Sequence, residues 1–95
     1  MNTIRRKKVL AFVELHPDSK SSLIAWYRMA KKARWRSLAA VRQVYPHADL
    51  VGKYTVFNIR GNHYRLITEI NYQYQQILIR EILTHEEYDK GNWKS

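Results

Sequence analysis

The hydrophobic period of this chain changes near Lys53, and that change constrains the fold more than any other feature. Before it, apolar residues recur every three or four positions, as on one stripe of a helix. After it, Phe57 and Ile59 alternate with Val56, Asn58 and Arg60, the period of a strand. Helical and strand segments are thus segregated along the chain.

In the first half, Thr3 can cap a helix over about 4–16, with Val9, Phe12, Val13 and His16 on one stripe. Pro17-Asp18-Ser19 interrupts it, Pro suiting the break and Asp or Ser the next cap. A second helix over about 20–35 puts Leu23, Trp26, Tyr27, Ala30 and Ala33 on one face, with basic residues 28, 31 and 32 mostly opposite. Ser37 can cap a third helix over 38–44 that Pro46 ends. Phe12 and Trp26 read as core. Trp35, flanked by Arg34 and Arg36, stays open between core and surface.

In the second half, Gly61-Asn62 is a two-residue hairpin signal. Closing that turn opposes Arg60 to His63, Ile59 to Tyr64, Asn58 to Arg65 and Phe57 to Leu66. Alternation then sorts the faces. Phe57, Ile59, Tyr64, Leu66 and Ile70 should rest on the helices, and Asn58, Arg60, His63 and Arg65 should share the other face with Val56 and Ile67. After a polar turn at 72–75, residues 77–83 are apolar on both faces, which suggests a central strand. The face used by Arg80 is not fixed. Thr84 and Glu87 match a capping box for a short helix that Gly91 can end.

Ninety-five residues suffice for one domain, read here as 1–95. The absence of cysteine excludes thiol catalysis and fits a reducing compartment. No apolar stretch approaches the ~20 residues that span a bilayer, and Arg5-Arg6-Lys7-Lys8 leads into no signal-peptide core. A cytoplasmic location and no membrane partner are expected. The net charge of +9 lies entirely within residues 1–53, while residues 54–95 balance. Such asymmetry favours a polyanionic partner over a merely solvated surface.

The hairpin gathers groups suited to phosphate chemistry. Arg65, opposite Asn58, can clamp a phosphate with two parallel hydrogen bonds, although pairing with Glu81 would also account for it. His85, at a helix start, is biased towards a neutral base by the helix dipole, and Tyr88 follows one turn later. Asn62 suits its turn, His63 reads as a solvent-facing strand start, and His16 and His47 read as structural. His85-Glu86-Glu87 is no zinc motif, because Asp89 stands where a second histidine is needed. No metal or cofactor is expected.

Phe57-Asn58-Ile59, Gly61-Asn62, Tyr64-Arg65-Leu66, Ile79-Arg80 and Thr84-His85-x-x-Tyr88-Asp89 occur here in order. They are preceded by His16-Pro17, Ala25-Trp26-Tyr27, Ala30-Lys31-Lys32-Ala33, Trp35-Arg36 and Tyr45-Pro46. This series resembles the HigB branch of the RelE-like toxins over nearly the whole chain. The resemblance implies an α+β fold, with two to three N-terminal helices packed on one face of a small antiparallel sheet of about three strands and a short C-terminal helix. It implies an endoribonuclease that cleaves mRNA; the basic helices suggest cleavage on the ribosome, with free RNA the alternative. It also implies an antitoxin partner, a HigA-like helix-turn-helix protein. Arg65 matches the arginine of the family's Tyr-Arg-Leu segment, whereas the role of His85 is inferred from its position. The expected catalytic set is Arg65, His85, Tyr88 and Asn58. The expected RNA and ribosome contacts are Arg60, Asn62, Arg80, Lys31, Lys32, Arg36 and Lys53. The alternative is a non-catalytic basic module that binds nucleic acid or protein.

Overall fold

Three helices cover one face of the sheet, but the sheet has five strands rather than about three. The computed structural model describes residues 1–94. The chain runs β1 (Asn2–Ile4), α1 (Lys7–Leu15), a 3-10 turn (Pro17–Ser19), α2 (Lys20–Lys32), α3 (Leu38–Val44), β2 (Asp49–Val51), β3 (Tyr54–Ile59), β4 (Tyr64–Asn71), β5 (Gln76–Thr84), α4 (His85–Lys90) and a last 3-10 turn (Asn92–Lys94). The strand order is β1-β5-β4-β3-β2, antiparallel except for β1, which runs parallel to β5. No helix among the described residues is long and apolar enough to cross a membrane.

The two unexpected strands, β1 and β2, have three residues each, too few to display a period of two. β1 also overturns the expected cap at Thr3. Asn2–Ile4 pair with Gln76–Leu78, and Arg5 turns the chain at φ +68°, so α1 starts only at Lys7. Its buried stripe is nevertheless Val9 and Phe12, with Val13 packed against the core. Neither Asp18 nor Ser19 caps α2 through its side chain. Ser19 Oγ donates back to the His16 carbonyl at 2.7 Å, and Asp18 is taken by Tyr64 and Arg60. α2 ends at Lys32 because Ala33 is already extended. Ser37 does cap α3, accepting from the Ala40 N–H at 3.2 Å.

The hairpin register is the one its turn dictates, with Ile59, Asn58 and Phe57 opposite Tyr64, Arg65 and Leu66. Phe57, Ile59, Tyr64 and Leu66 join Leu23, Trp26, Ala30 and Val41 in the main core. Trp26 meets Phe57 edge-on at 5.4 Å, and Trp35 is buried with its ring stacked on Phe57 at 6.4 Å. β5 is a central strand, as its apolar residues on both faces suggest. Its pairing with β4 slips between Ile67 and Thr68, leaving Arg80 as an extra residue. Such a bulge reverses the alternation. Ile77 and Ile79 before it and Ile82 after it therefore all reach the main core, and Leu83 joins the opposite face.

That opposite face is covered only in part. Tyr54, Val56 and Ile67 form a second, small cluster there with Val51, Leu83, Tyr88 and Trp93. The capping box at Thr84 and Glu87 forms, and Gly91 ends α4 at φ +75°. α4 and the last turn thus fold back over the open sheet face.

Candidate active site

Strand register assembles the site. Asn58 stands opposite Arg65 on the open face, and β2 joins β3 with Asp49 opposite Val56. His47 lies outside that ladder, in the turn just before β2. Strands lie ~4.8 Å apart, so Asn58 and Arg65 form a short row across the sheet. α4 starts immediately after β5 and drops Tyr88 onto the end of this row. The result is a groove of about 430 Å3 lined by Arg42, His47, Asp49, Asn58, Arg65 and Tyr88, among others.

Arg65 is half-buried and oriented from below. Its Nη1 donates to the carbonyls of Asn62 at 3.2 Å and Tyr64 at 3.1 Å. A guanidinium carries five N–H donors, so others remain for a ligand. Its carbon lies 5.5 Å from the centroid of the Tyr88 ring, within cation–π range. Glu81 does not pair with it; that carboxylate lies 3.7 Å from Lys8. Burial raises the Tyr88 phenol above its ordinary pKa; Asp49 and Asp89 push the same way and Arg65 pulls it down. Tyr88 therefore stays a proton donor at neutral pH.

Arg42 and His47 are the groove residues that the sequence does not reveal. Arg42 donates from Nε to the Ala48 carbonyl at 2.9 Å, which braces the loop carrying His47. Both precede a three-residue edge strand, and only the pairing of that strand brings them beside Asn58. His47, expected to be structural, has an exposed side chain that lines the groove.

His85 is not brought into this groove. It lines a neighbouring depression with His16, Asn62, His63 and Tyr64. Its backbone N–H donates to the His63 carbonyl at 3.0 Å, and its Nδ1 lies 3.0 Å from Asp89 Oδ2. Arg60 also departs from the expected face. Its φ of +51° breaks the alternation, and Nη1 reaches Asp18 at 2.8 Å on the helical side. His63 leaves the open face with it, for the same turn directs it to the depression. Asn62 stays in the turn, its carbonyl holding Arg65.

The remaining expected contacts fall into separate groups. Arg80 Nε and Lys53 Nζ lie 4.0 Å and 3.4 Å from the same Glu69 oxygen, so one carboxylate serves both cations. Lys31, Lys32 and Arg36 line a single groove of about 660 Å3 together with Arg34. Among the described residues no group of three or more His, Asp or Glu side chains could hold a metal ion. The Arg65 groove thus offers two guanidiniums, an amide and a phenol as donors, with one carboxylate, Asp49, at its edge.

Comparison with known proteins points to one family. Residues 19–91, which include the whole row and Tyr88, match the HigB toxin family, described as the RelE-like toxic component of a toxin-antitoxin system. The mRNA interferase toxin HigB of Escherichia coli K12 is 30% identical over 92 residues, covering 94% of this chain and 88% of the relative. An mRNA interferase HigB of Shigella flexneri matches to the same extent. Another, from Escherichia coli O6:H1, is 28% identical over 78 residues, covering 79% and 76%. The chain therefore belongs to the HigB family of RelE-like toxins.

Proposed function

We propose that this toxin is an endoribonuclease that cleaves mRNA in the groove between the open sheet face and α4. The observation that carries this reading is the meeting of Arg65 and Tyr88 beside Asn58. In this reaction the ribose 2′-oxygen attacks phosphorus and the 5′-oxygen leaves, giving a 2′,3′-cyclic phosphate. The 2′-hydroxyl proton goes to a base, and the leaving oxygen takes a proton from an acid. Arg65 binds the phosphate and stabilises the charge that builds on its oxygens. Asn58 donates its amide to the same group.

Tyr88, kept protonated by burial beside Asp49, holds the reacting oxygens or protonates the leaving one. His47 is the imidazole that lines the groove and acts as the base. His85 keeps its claim to that role only if its ring leaves Asp89 and turns over the start of α4. Comparing His47→Ala with His85→Ala in single-turnover cleavage decides between them. The whole reading is tested by incubating purified toxin with RNA, with and without ribosomes and with a chelator present. Cleavage that leaves cyclic phosphate ends and persists in chelator supports it, whereas no cleavage under any of these conditions overturns it.

The basic groove of Lys31, Lys32, Arg34 and Arg36 lies apart from the chemistry and suits docking on ribosomal RNA. The toxin acts in the cytoplasm on translated mRNA, and a HigA-like antitoxin holds it inactive.

A further inference from the structure

Trp93 lies beyond the residues matched to the family and outside the catalytic groove, yet it touches Tyr88 in two ways. Its indole stacks on the phenol ring at 5.0 Å with 17° between the planes. Its Nε1–H donates to the Tyr88 carbonyl at 3.0 Å. The chain reverses between the two residues at Gly91, in the left-handed region, so Trp93 folds back onto the turn that precedes it. Tyr54 then meets the indole edge-on at 5.7 Å and ties the pair to β3.

Tyr88 thus contacts two planar groups, the Arg65 guanidinium at 5.5 Å and the Trp93 indole at 5.0 Å. Below the ring lies the small cluster of Tyr54, Val56 and Ile67. Helix α4 has six residues, none of them buried, and short isolated helices are marginal in water. Its stability and the aim of its one inward side chain therefore depend on what packs around Tyr88.

We infer that Trp93 is a positioning residue for cleavage: it sets the plane and height of the Tyr88 ring against Arg65 and keeps water from its outer face. This rests on the reading of Tyr88 as part of the reacting site. A phenol free to rock by ~1 Å would lose much of its contribution, since such misplacement can cost on the order of a hundredfold in rate. RNA binding through Arg65 and the basic groove would continue.

The test is a double-mutant cycle on the full chain, with RNA cleavage measured in single turnover at saturating enzyme. Trp93→Ala should slow cleavage about tenfold or more with an unchanged KM, and Trp93→Phe, which keeps a stacking ring, should recover most of the rate. In the Tyr88→Phe background, Trp93→Ala should cost less than twofold further, because the hydroxyl it positions is already gone. Trp93→Ala should also shift the alkaline limb of the pH–rate profile downward, as water reaches the phenol. Trp93→Leu carries the same comparison if the alanine variant melts near the assay temperature. A Trp93→Ala rate within twofold of wild type overturns the inference, and so does an equal loss in both backgrounds. If Tyr88→Phe alone cleaves at the wild-type rate, the reading of Tyr88 fails first, whatever Trp93→Ala does.

Discussion

The guanidinium of Arg65 lies 5.5 Å from the ring centroid of Tyr88, although the two residues are 23 positions apart and on different elements. β4 supplies one and α4 the other, and the capping box at Thr84 fixes the angle between them. The pair sets a permanent cation beside a phenol whose pKa burial raises.

Arg65→Ala should lower single-turnover RNA cleavage by about 10²–10³, the roughly 3–4 kcal/mol typical of losing one preorganised donor. Its melting temperature should stay close to wild type, since the side chain is only half-buried and bonds to turn carbonyls. A folded variant cleaving within threefold of wild type would remove Arg65 from the site.

Proton transfer separates the two histidines. A positioned acid or base contributes about 10²–10⁴-fold, so His47→Ala and Tyr88→Phe should each slow the chemical step substantially with RNA affinity retained. His85→Ala should cost less than fivefold in the same assay, because its ring lines another depression and pairs with Asp89. The reverse order of effects would return the base role to His85.

Docking and chemistry should come apart. Replacing Lys31, Lys32 and Arg36 together removes three cations from one groove. It should flatten the salt dependence of RNA or ribosome association by up to about three units, leaving the maximal single-turnover rate near wild type. Unchanged affinity and salt slope would make this groove ordinary solvated surface.

Acid should weaken the clamp between the hairpin and the helices. The Tyr64 hydroxyl, bonded to Asp18 at 2.7 and 2.9 Å, is the main cause that lowers the Asp18 pKa; Arg60 adds to it and partial burial opposes it. A depressed folded pKa means stability that is present above the ordinary carboxylate range and lost as pH falls through the folded value. In urea titrations, wild type should therefore be more stable than Asp18→Asn at pH 7, and the gap should close as pH falls below the ordinary aspartate pKa. A gap that is constant with pH would show that the carboxylate's charge is not what matters.

Much of this molecule was legible in local patterns. The β3–β4 register follows from Gly61-Asn62 because a two-residue turn leaves one way to pair the flanking strands, and a period of two then assigns each side chain a face. Thr84, Glu87 and Gly91 mark the bounds of α4 because capping is a contest between neighbouring groups. Arg65 opposite Asn58 was readable for the same reason.

Pairing across long separations decided the rest. Asn2–Ile4 became a strand only because β5 offered a free edge, which no property of three residues can announce. The bulge at Arg80 arose from matching β5 to β4, and it placed an arginine whose face the sequence left open. Arg60 left the open face for Asp18, 42 positions away, because an ion pair and a left-handed turn outweighed alternation. His47 reached the groove through an edge strand, and Trp93 reached Tyr88 through a helix end. Local sequence determines which conformations are cheap within a few residues. Which distant groups meet is set by the burial and strand pairing of the whole chain, and so the sequence by itself determined the scaffold and one arginine, while the tertiary structure decided which groups stand around it.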